Sequence, residues 1–277
     1  MVRQVYPERS RRAHRNRVRI LAVAAAIVVA AAALTLTLAV FVFRDQAARL
    51  VWRVSLPELA LLLDRSDAAL ALTVGNYYFG GGTYNLDAAV RAFRKAWDID
   101  EGLLGPRYQL ARIAFLKGDF SGALALINEE LALHPGFKRS YYVRGLIYGY
   151  IENYELAARD FKEFLAWNPK SWAGWNDLAW VYFASGDFAL AEEAARSGLE
   201  YSPVNPWLLL SRGTALLNLE KKNEAEEVLT RAQAAARALT PADWGRAYPG
   251  NDPTSYPKGL EEMQNVIERN ITLAREE

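Results

Sequence analysis

Residues 139–169 read RSYYVRGLIYGYIENYELAARDFKEFLAWNP. Apolar residues recur at helical spacing in two runs joined by a short turn, and the stretch closes on a proline that cannot continue a helix. Gly145 and Ala157 fall where a helix would accept something larger, although the stretch is otherwise crowded with aromatic rings. Glycine inside a helix costs about 1 kcal/mol relative to alanine. A close approach between two helix backbones must offset that, and Gly145 and Ala157 are expected to meet across it, with Tyr148, Tyr154 and Phe161 filling the space around them.

The pattern is not confined to this stretch. Alanines stand at positions 89, 123, 157, 191 and 225, and a second small series runs Ala111, Gly145, Ala179, Gly213. Pro135, Pro169 and Pro203 form a third series, and Leu86, Phe120, Tyr154 and Phe188 a bulkier fourth. Four series sharing one interval of 34 residues define a tandem repeat, which takes precedence over assigning elements singly. Each unit reads as two antiparallel helices joined by a turn such as Gly118-Asp119 or Gly186-Asp187.

The unit resembles the tetratricopeptide repeat, whose pattern is W-x2-L-G-x2-Y followed by A, F, A and P. Trp175, Leu178, Ala179, Tyr182, Ala191 and Pro203 carry the resemblance in the fourth unit, and Tyr141, Gly145, Tyr148, Ala157, Phe161 and Pro169 in the third. It covers residues 68–236, five units. Arg144 and Arg212 depart from it by standing where leucine is usual. The first unit has two extra turn residues around Gly80–Gly82, and Glu101 in place of the proline. The resemblance implies an all-α fold: a helix-turn-helix solenoid over 68–239 with a packed loop and capping helix over 240–277. It predicts little about function, because the fold hosts many partners.

Ahead of the array, Ile20–Phe43 is 24 residues long without a charge. As a helix it extends about 36 Å, enough to cross a hydrocarbon core of about 30 Å. A cleaved signal peptide is the competing reading. Cleavage near Ala30–Ala33 would leave LTLTLAVFVF as a free apolar end, so an uncleaved transmembrane helix is expected. Seven arginines in residues 1–19, against Arg44, Arg49 and Arg53 after the span, predict a basic cytoplasmic tail and an array on the extracytoplasmic side of a cytoplasmic membrane. Phe41, Phe43 and Trp52 sit where an interfacial aromatic belt belongs. Residues 44–67 read as an amphipathic connector broken near Pro57.

The period fails after Leu239. TPADWGRAYPGNDPTSYP, residues 240–257, combines four prolines with Trp244, Tyr248 and Tyr256, which predicts a packed loop. The helix that follows, about Lys258–Arg275, carries Leu260, Met263, Val266, Ile267 and Ile271 as one stripe and is expected to cover the last unit's apolar face.

Composition removes several function classes. The whole chain has 33 basic and 32 acidic residues, but outside the tail the balance is acidic, about −5, which argues against nucleic acid. There is no cysteine and there are only two histidines, His14 and His134, so thiolate chemistry is excluded and an ordinary His-based site is not expected. No phosphate-loop, zincin or EF-hand motif occurs. Gly80–Gly82 reads as a loose turn, Asp98 and Asp100 as solvated carboxylates at a repeat junction, and Asn270-Ile271-Thr272 as a glycosylation sequon. No catalytic residue, cofactor or metal is expected.

What remains is a surface. The resemblance implies that the first helix of each unit lines a concave groove. Transferred residue by residue, its inward positions are Tyr108, Arg112 and Phe115; Arg139, Tyr142, Leu146 and Tyr150; and Asn176, Trp180 and Phe183. Aromatic and arginine side chains dominate interface hot spots. Tyr108 and Tyr142 stand where a lysine for an acidic tail would be expected, so the predicted ligand is an apolar or aromatic protein or peptide segment, although the same aromatics can also pack between neighbouring repeats. The expectation is a single-pass, non-catalytic scaffold binding that partner in envelope assembly, secretion or complex biogenesis. Alternatives are an accessory substrate-presenting subunit of a membrane enzyme, a mitochondrial receptor whose array faces the cytosol, and an enzyme in its own right.

Overall fold

The computed structural model describes residues 8–53, 56–81, 83–248 and 250–276, all of them helix, turn or loop without a strand. Residues 1–7 of the basic tail, the Phe41 ring, Gly82 and Pro249 lie outside the described residues. The chain forms two compact units, residues 1–67 and 68–277.

In the first unit, helix α1 (Glu8–Val42) contains the apolar run, and Leu21–Leu38 is exposed along its length, long and apolar enough to cross a membrane. Thr35 and Thr37 direct their hydroxyls back to the carbonyls of Ala31 and Ala33, both at 2.8 Å, which satisfies them within the helix. Helices α2 (Arg44–Arg53) and α3 (Pro57–Leu63) follow, with Pro57 starting α3 as its missing N–H allows; Ala48, Ala60 and Leu61 are buried on them.

The second unit is five antiparallel helix pairs and a C-terminal cover. The pairs are α4 (Ala68–Asn76) with α5 (Leu86–Ile99), α6 (Pro106–Leu116) with α7 (Phe120–Leu133), α8 (Arg139–Tyr150) with α9 (Tyr154–Trp167), α10 (Trp172–Ala184) with α11 (Phe188–Tyr201), and α12 (Pro206–Asn218) with α13 (Lys222–Arg237). The second helices begin at 86, 120, 154, 188 and 222, so the 34-residue period is also the period of the fold. Asn85, Asp119 and Asn153 accept a hydrogen bond from a backbone N–H three residues on and start α5, α7 and α9. The residue before the cap takes a positive φ in four pairs: Gly118 (76°), Glu152 (61°), Gly186 (86°) and Glu220 (59°). Glycine adopts this freely, whereas a side-chain residue costs about 1–2 kcal/mol. The two glutamates are held there by the turn geometry of the array.

The alanine series is wholly buried, and each first helix approaches its partner as expected, but not alanine against glycine. Gly145 faces the Phe161 ring: a Cβ there would lie 3.0 Å from its edge. Gly213 faces Leu229 in the same way, at 2.5 Å. The small residue admits a large side chain from the second helix. Arg144 and Arg212 keep their places by ion pairing. Arg144 grips buried Asp160 with Nε at 2.6 Å and Nη2 at 2.9 Å, and reaches Asn128 of α7 with Nη1 at 3.0 Å. Arg212 donates to Glu192 at 2.8 Å. In the first pair, the extra residues form a π-helical turn, Tyr77–Gly81, after α4, with Gly80 at φ 155°.

Residues 240–257 are more ordered than a packed loop. Helix α14 (Pro241–Ala247) is fixed by its own capping box: Thr240 Oγ1 accepts from the Asp243 N–H, and Asp243 accepts from the Thr240 N–H. A 3-10 turn, Pro253–Ser255, leads into α15 (Tyr256–Arg275). Met263, Ile267, Ile271 and Ala274 of α15 pack with Leu209, Leu229 and Ala232. Asn270 is buried and donates to Thr214 Oγ1 at 3.0 Å. The sequon asparagine is therefore part of the helix interface, closed to glycosylation in the folded protein.

Candidate functional site

The inward positions of α6, α8 and α10 form two rows. The first is aromatic: the Phe115 and Tyr150 rings meet edge-on at 5.0 Å, and Tyr150 meets Trp180 at 5.3 Å. Gly149 makes this possible, since a Cβ on it would lie 2.6 Å from the Trp180 ring. The second row is polar. Tyr142 donates to Asp177 Oδ2 at 2.5 Å, Asn176 Nδ2 donates to Asp177 Oδ1 at 3.2 Å, and Ser211 donates to Asn176 Oδ1 at 2.9 Å. This ladder ties α8, α10 and α12 together along one face. Asp177 is half-buried; desolvation raises its carboxyl to about 6, against the lowering effect of its bonds from Tyr142 and Asn176. Burial, then the charge and hydrogen bond of Asp177, push the Tyr142 phenol well above its ordinary range.

The remaining predicted positions divide. Tyr108 packs edge-on against Phe137 at 5.1 Å. Arg112 lies over the rings of Phe79 (4.6 Å) and Tyr108 (5.7 Å), donates to Gln109 Oε1 at 2.8 Å, and is desolvated enough to lower its pKa. Gln109 in turn donates to Asn76 Oδ1 at 2.5 Å. Leu146 and Phe183 are partly buried, Leu146 against the Phe161 core and Phe183 against Phe188 at 5.2 Å. Arg139 and Tyr150 are exposed. Tyr142 also packs on Phe161 and Phe164 of its own repeat. Tyr142 and Trp180 therefore join neighbouring repeats as well as lining the face, while Phe183 packs within its own pair.

The sequence did not show that this face already carries a segment of the same chain. Trp244 of α14 and Tyr248, the residue that ends the helix, pack ring against ring at 4.4 Å. Tyr248 meets the Trp207 ring edge-on at 6.3 Å, and its oxygen accepts from Trp207 Nε1 at 2.9 Å. Tyr248 keeps 36% of its surface exposed, and the partial desolvation of its hydroxyl drives the phenol up to about 12; the Trp207 hydrogen bond opposes this, and the nearby charges of Asp177 and Tyr150 add to it. Beyond Tyr248 the backbone reaches the opposite end of the array. Gly250, at φ 103°, lies so close that a Cβ would stand 3.0 Å from Phe79 and 3.4 Å from Arg112. A cavity of about 590 Å³ remains there, walled by Asn76, Phe79, Gln109 and Arg112 on one side and by Arg246, Asn251 and Tyr256 on the other. The readable signal was the i, i+4 spacing of Trp244 and Tyr248; the surface they meet was not readable.

Residues 142–206 and 176–240 match the tetratricopeptide repeat family. The fold is a tetratricopeptide-repeat-like solenoid. Solved tetratricopeptide-repeat structures are similar across the array. PilW, described as a widely conserved type IV pilus biogenesis factor, superposes with a TM-score of 0.61 and 18% identity, covering 72% of this chain and 95% of its own. A tetratricopeptide repeat protein from Parabacteroides merdae gives 0.58 and 19%, covering 86% and 99%. YrrB, described as a tetratricopeptide-repeat protein with an unusual peptide-binding site, gives 0.54 and 16%, covering 66% and 93%. At these identities the likeness is one of fold. No curated protein sequence matches the chain.

Proposed function

We propose that the chain is a membrane-anchored, non-catalytic scaffold whose tetratricopeptide-repeat array binds a polypeptide segment of a partner protein on its inner face. The observation that carries this reading is the inner face itself. It joins an aromatic row, Phe115–Tyr150–Trp180, to a polar ladder, Tyr142–Asp177–Asn176–Ser211, and it receives a polypeptide segment, residues 241–250. Aromatic rings offer large contact area, and the ladder offers hydrogen bonds to a backbone; together they suit an apolar or aromatic segment better than an acidic tail.

Residues 20–43 serve as the anchor in this proposal. The arginine-rich residues 1–19 stay in the cytoplasm, residues 44–67 connect, and the array lies on the extracytoplasmic side, where the partner belongs to envelope assembly, secretion or complex biogenesis. The exposed apolar length of α1 supports the anchor.

In-cell photocrosslinking of the full-length protein tests the reading, with the reactive residue placed at Tyr150 or Arg139, both exposed on α8. One dominant protein adduct shared by both positions is expected. Absence of adducts at both, with capture only from the apolar helix, would overturn it.

A further inference from the structure

The segment over the inner face has the features of a bound ligand rather than of a connecting loop. Its helical turn is specified internally, by Pro241 at the first helical position and by the reciprocal Thr240–Asp243 cap, so the array does not have to impose its shape. Trp244 is seated against Gly259 of α15, and the Tyr248 ring beside it turns to α12, its hydroxyl accepting from Trp207. The backbone then runs on to Phe79 and Arg112, and Asp252 fixes the next turn by accepting from the Thr254 N–H at 2.9 Å. Trp207 is in turn supported by Trp172, at 5.1 Å. The receiving surface thus offers an indole N–H donor on an aromatic platform, with the Asp177 carboxylate nearby.

We infer that residues 241–252 are an internal stand-in for the partner. The inner face recognises a short helical turn that ends on a tyrosine, and a partner bearing such a turn gains the face by displacing the chain's own segment. This rests on the scaffold reading above and names both its partner chemistry and its regulation. A tethered segment competes at an effective concentration on the order of millimolar, so the resting protein is closed to weak ligands and opens only to a better-fitting or multivalent one.

The probe is a fluorescein-labelled synthetic peptide of residues 240–256, titrated by anisotropy against the full-length protein in detergent. Gly250→Val places a branched side chain at φ 103°, against Phe79, and is the variant that lifts the segment. The peptide is expected to bind this variant at least about tenfold more tightly than wild type. A peptide carrying Tyr248→Phe should lose about five- to tenfold, the equivalent of one hydrogen bond. Equal binding to both proteins, or equal binding of both peptides, overturns the inference. A Gly250→Val protein that dimerises by exchanging its segment also overturns it, because the occupant is then a second copy.

If the variant loses its helical circular dichroism, hydrogen exchange on the wild type decides. Excess peptide should accelerate exchange at 241–252, and unchanged exchange sinks the idea. Capture of a partner at Tyr150 together with no peptide binding leaves the scaffold reading standing and removes only this inference. Peptide binding with no captured partner supports the self-occupied face and counts against the scaffold reading, and with it against a partner that displaces the segment.

Discussion

The array and the segment laid across it are both stabilised by aromatic packing and side-chain hydrogen bonds, but they reach that state by different routes. In the array, each contact joins residues within about one period of each other, as Arg144 with Asp160 and Gly145 with Phe161. Across the face, Tyr248 meets Trp207 41 positions away, and Gly250 meets Phe79 from still further along the chain. The first kind of contact recurs along the array, as Gly213 with Leu229 repeats Gly145 with Phe161. The second occurs once, which makes it adjustable. Repetition stabilises this molecule, and the unrepeated contact is the place where it can change state.

The array half of the comparison breaks most severely at Arg144. Arg144→Ala strands a buried carboxylate on Asp160 and should cost about 3–5 kcal/mol, read as a lower urea midpoint. Replacing both residues with leucine, the family's usual residue at the first position, should return stability to within about 1 kcal/mol of wild type.

Asp177 sits where the two halves meet, and its effect depends on pH. Its folded pKa, about 6, lies above the unfolded value, so the folded state prefers the protonated carboxyl. The stability it withdraws is largest above pH 6 and vanishes as the pH falls through the unfolded value near 4. Asp177→Asn keeps an acceptor for Tyr142. It should stabilise the protein at pH 8 by at most about 2 kcal/mol, because the carboxylate retains some water, and leave it unchanged near pH 4. Thermal midpoints at the two pH values check the sign.

On the segment side, Tyr248→Phe removes the hydroxyl that accepts from Trp207 and keeps the ring. It should cost about 1 kcal/mol and speed hydrogen exchange at 241–252 while sparing α8 and α9. An equal loss of protection in those helices would erase the distinction between repeated and unrepeated contacts. The smallest expected change is a gain. Glu152→Gly relieves a left-handed φ of 61° and should raise stability by about 0.5–1 kcal/mol, less than the full strain because glycine has more freedom to lose.

The same division explains what the sequence made legible. A period of 34 residues is visible without knowing what touches what, so Ala157, Gly145 and Pro169 announced the helix pairs, their turns and their ends. Arg144 looked like a defect because its partner, Asp160, obeys no apolar pattern. Glu152 and Glu220 gave no sign of positive φ, since the usual signal there is glycine, as at 118 and 186. For the inner face, the residue types at Tyr142, Tyr150 and Trp180 were readable from the repeat register. Their double duty as packing between repeats was not, because it depends on Gly149 opening space for an indole one repeat later. Trp244 and Tyr248 showed a helical spacing, but no periodicity links them to Trp207.

Linear repeat arrays ordinarily fray from their ends, each terminal unit being held by one neighbour only. Here the backbone at Gly250 lies against Phe79 in the first pair, while the helix leading to it is held by Trp207 in the last. The two ends of a one-dimensional lattice are thereby joined into a circuit, and fraying at either end costs a contact of the bridge as well as those of the neighbouring repeat. Lifting the bridge would do more than uncover a surface. It would return the array to open-chain statistics, in which the terminal repeats breathe independently of the middle, so a partner that binds there would change the cooperativity of the whole array as well as its occupancy.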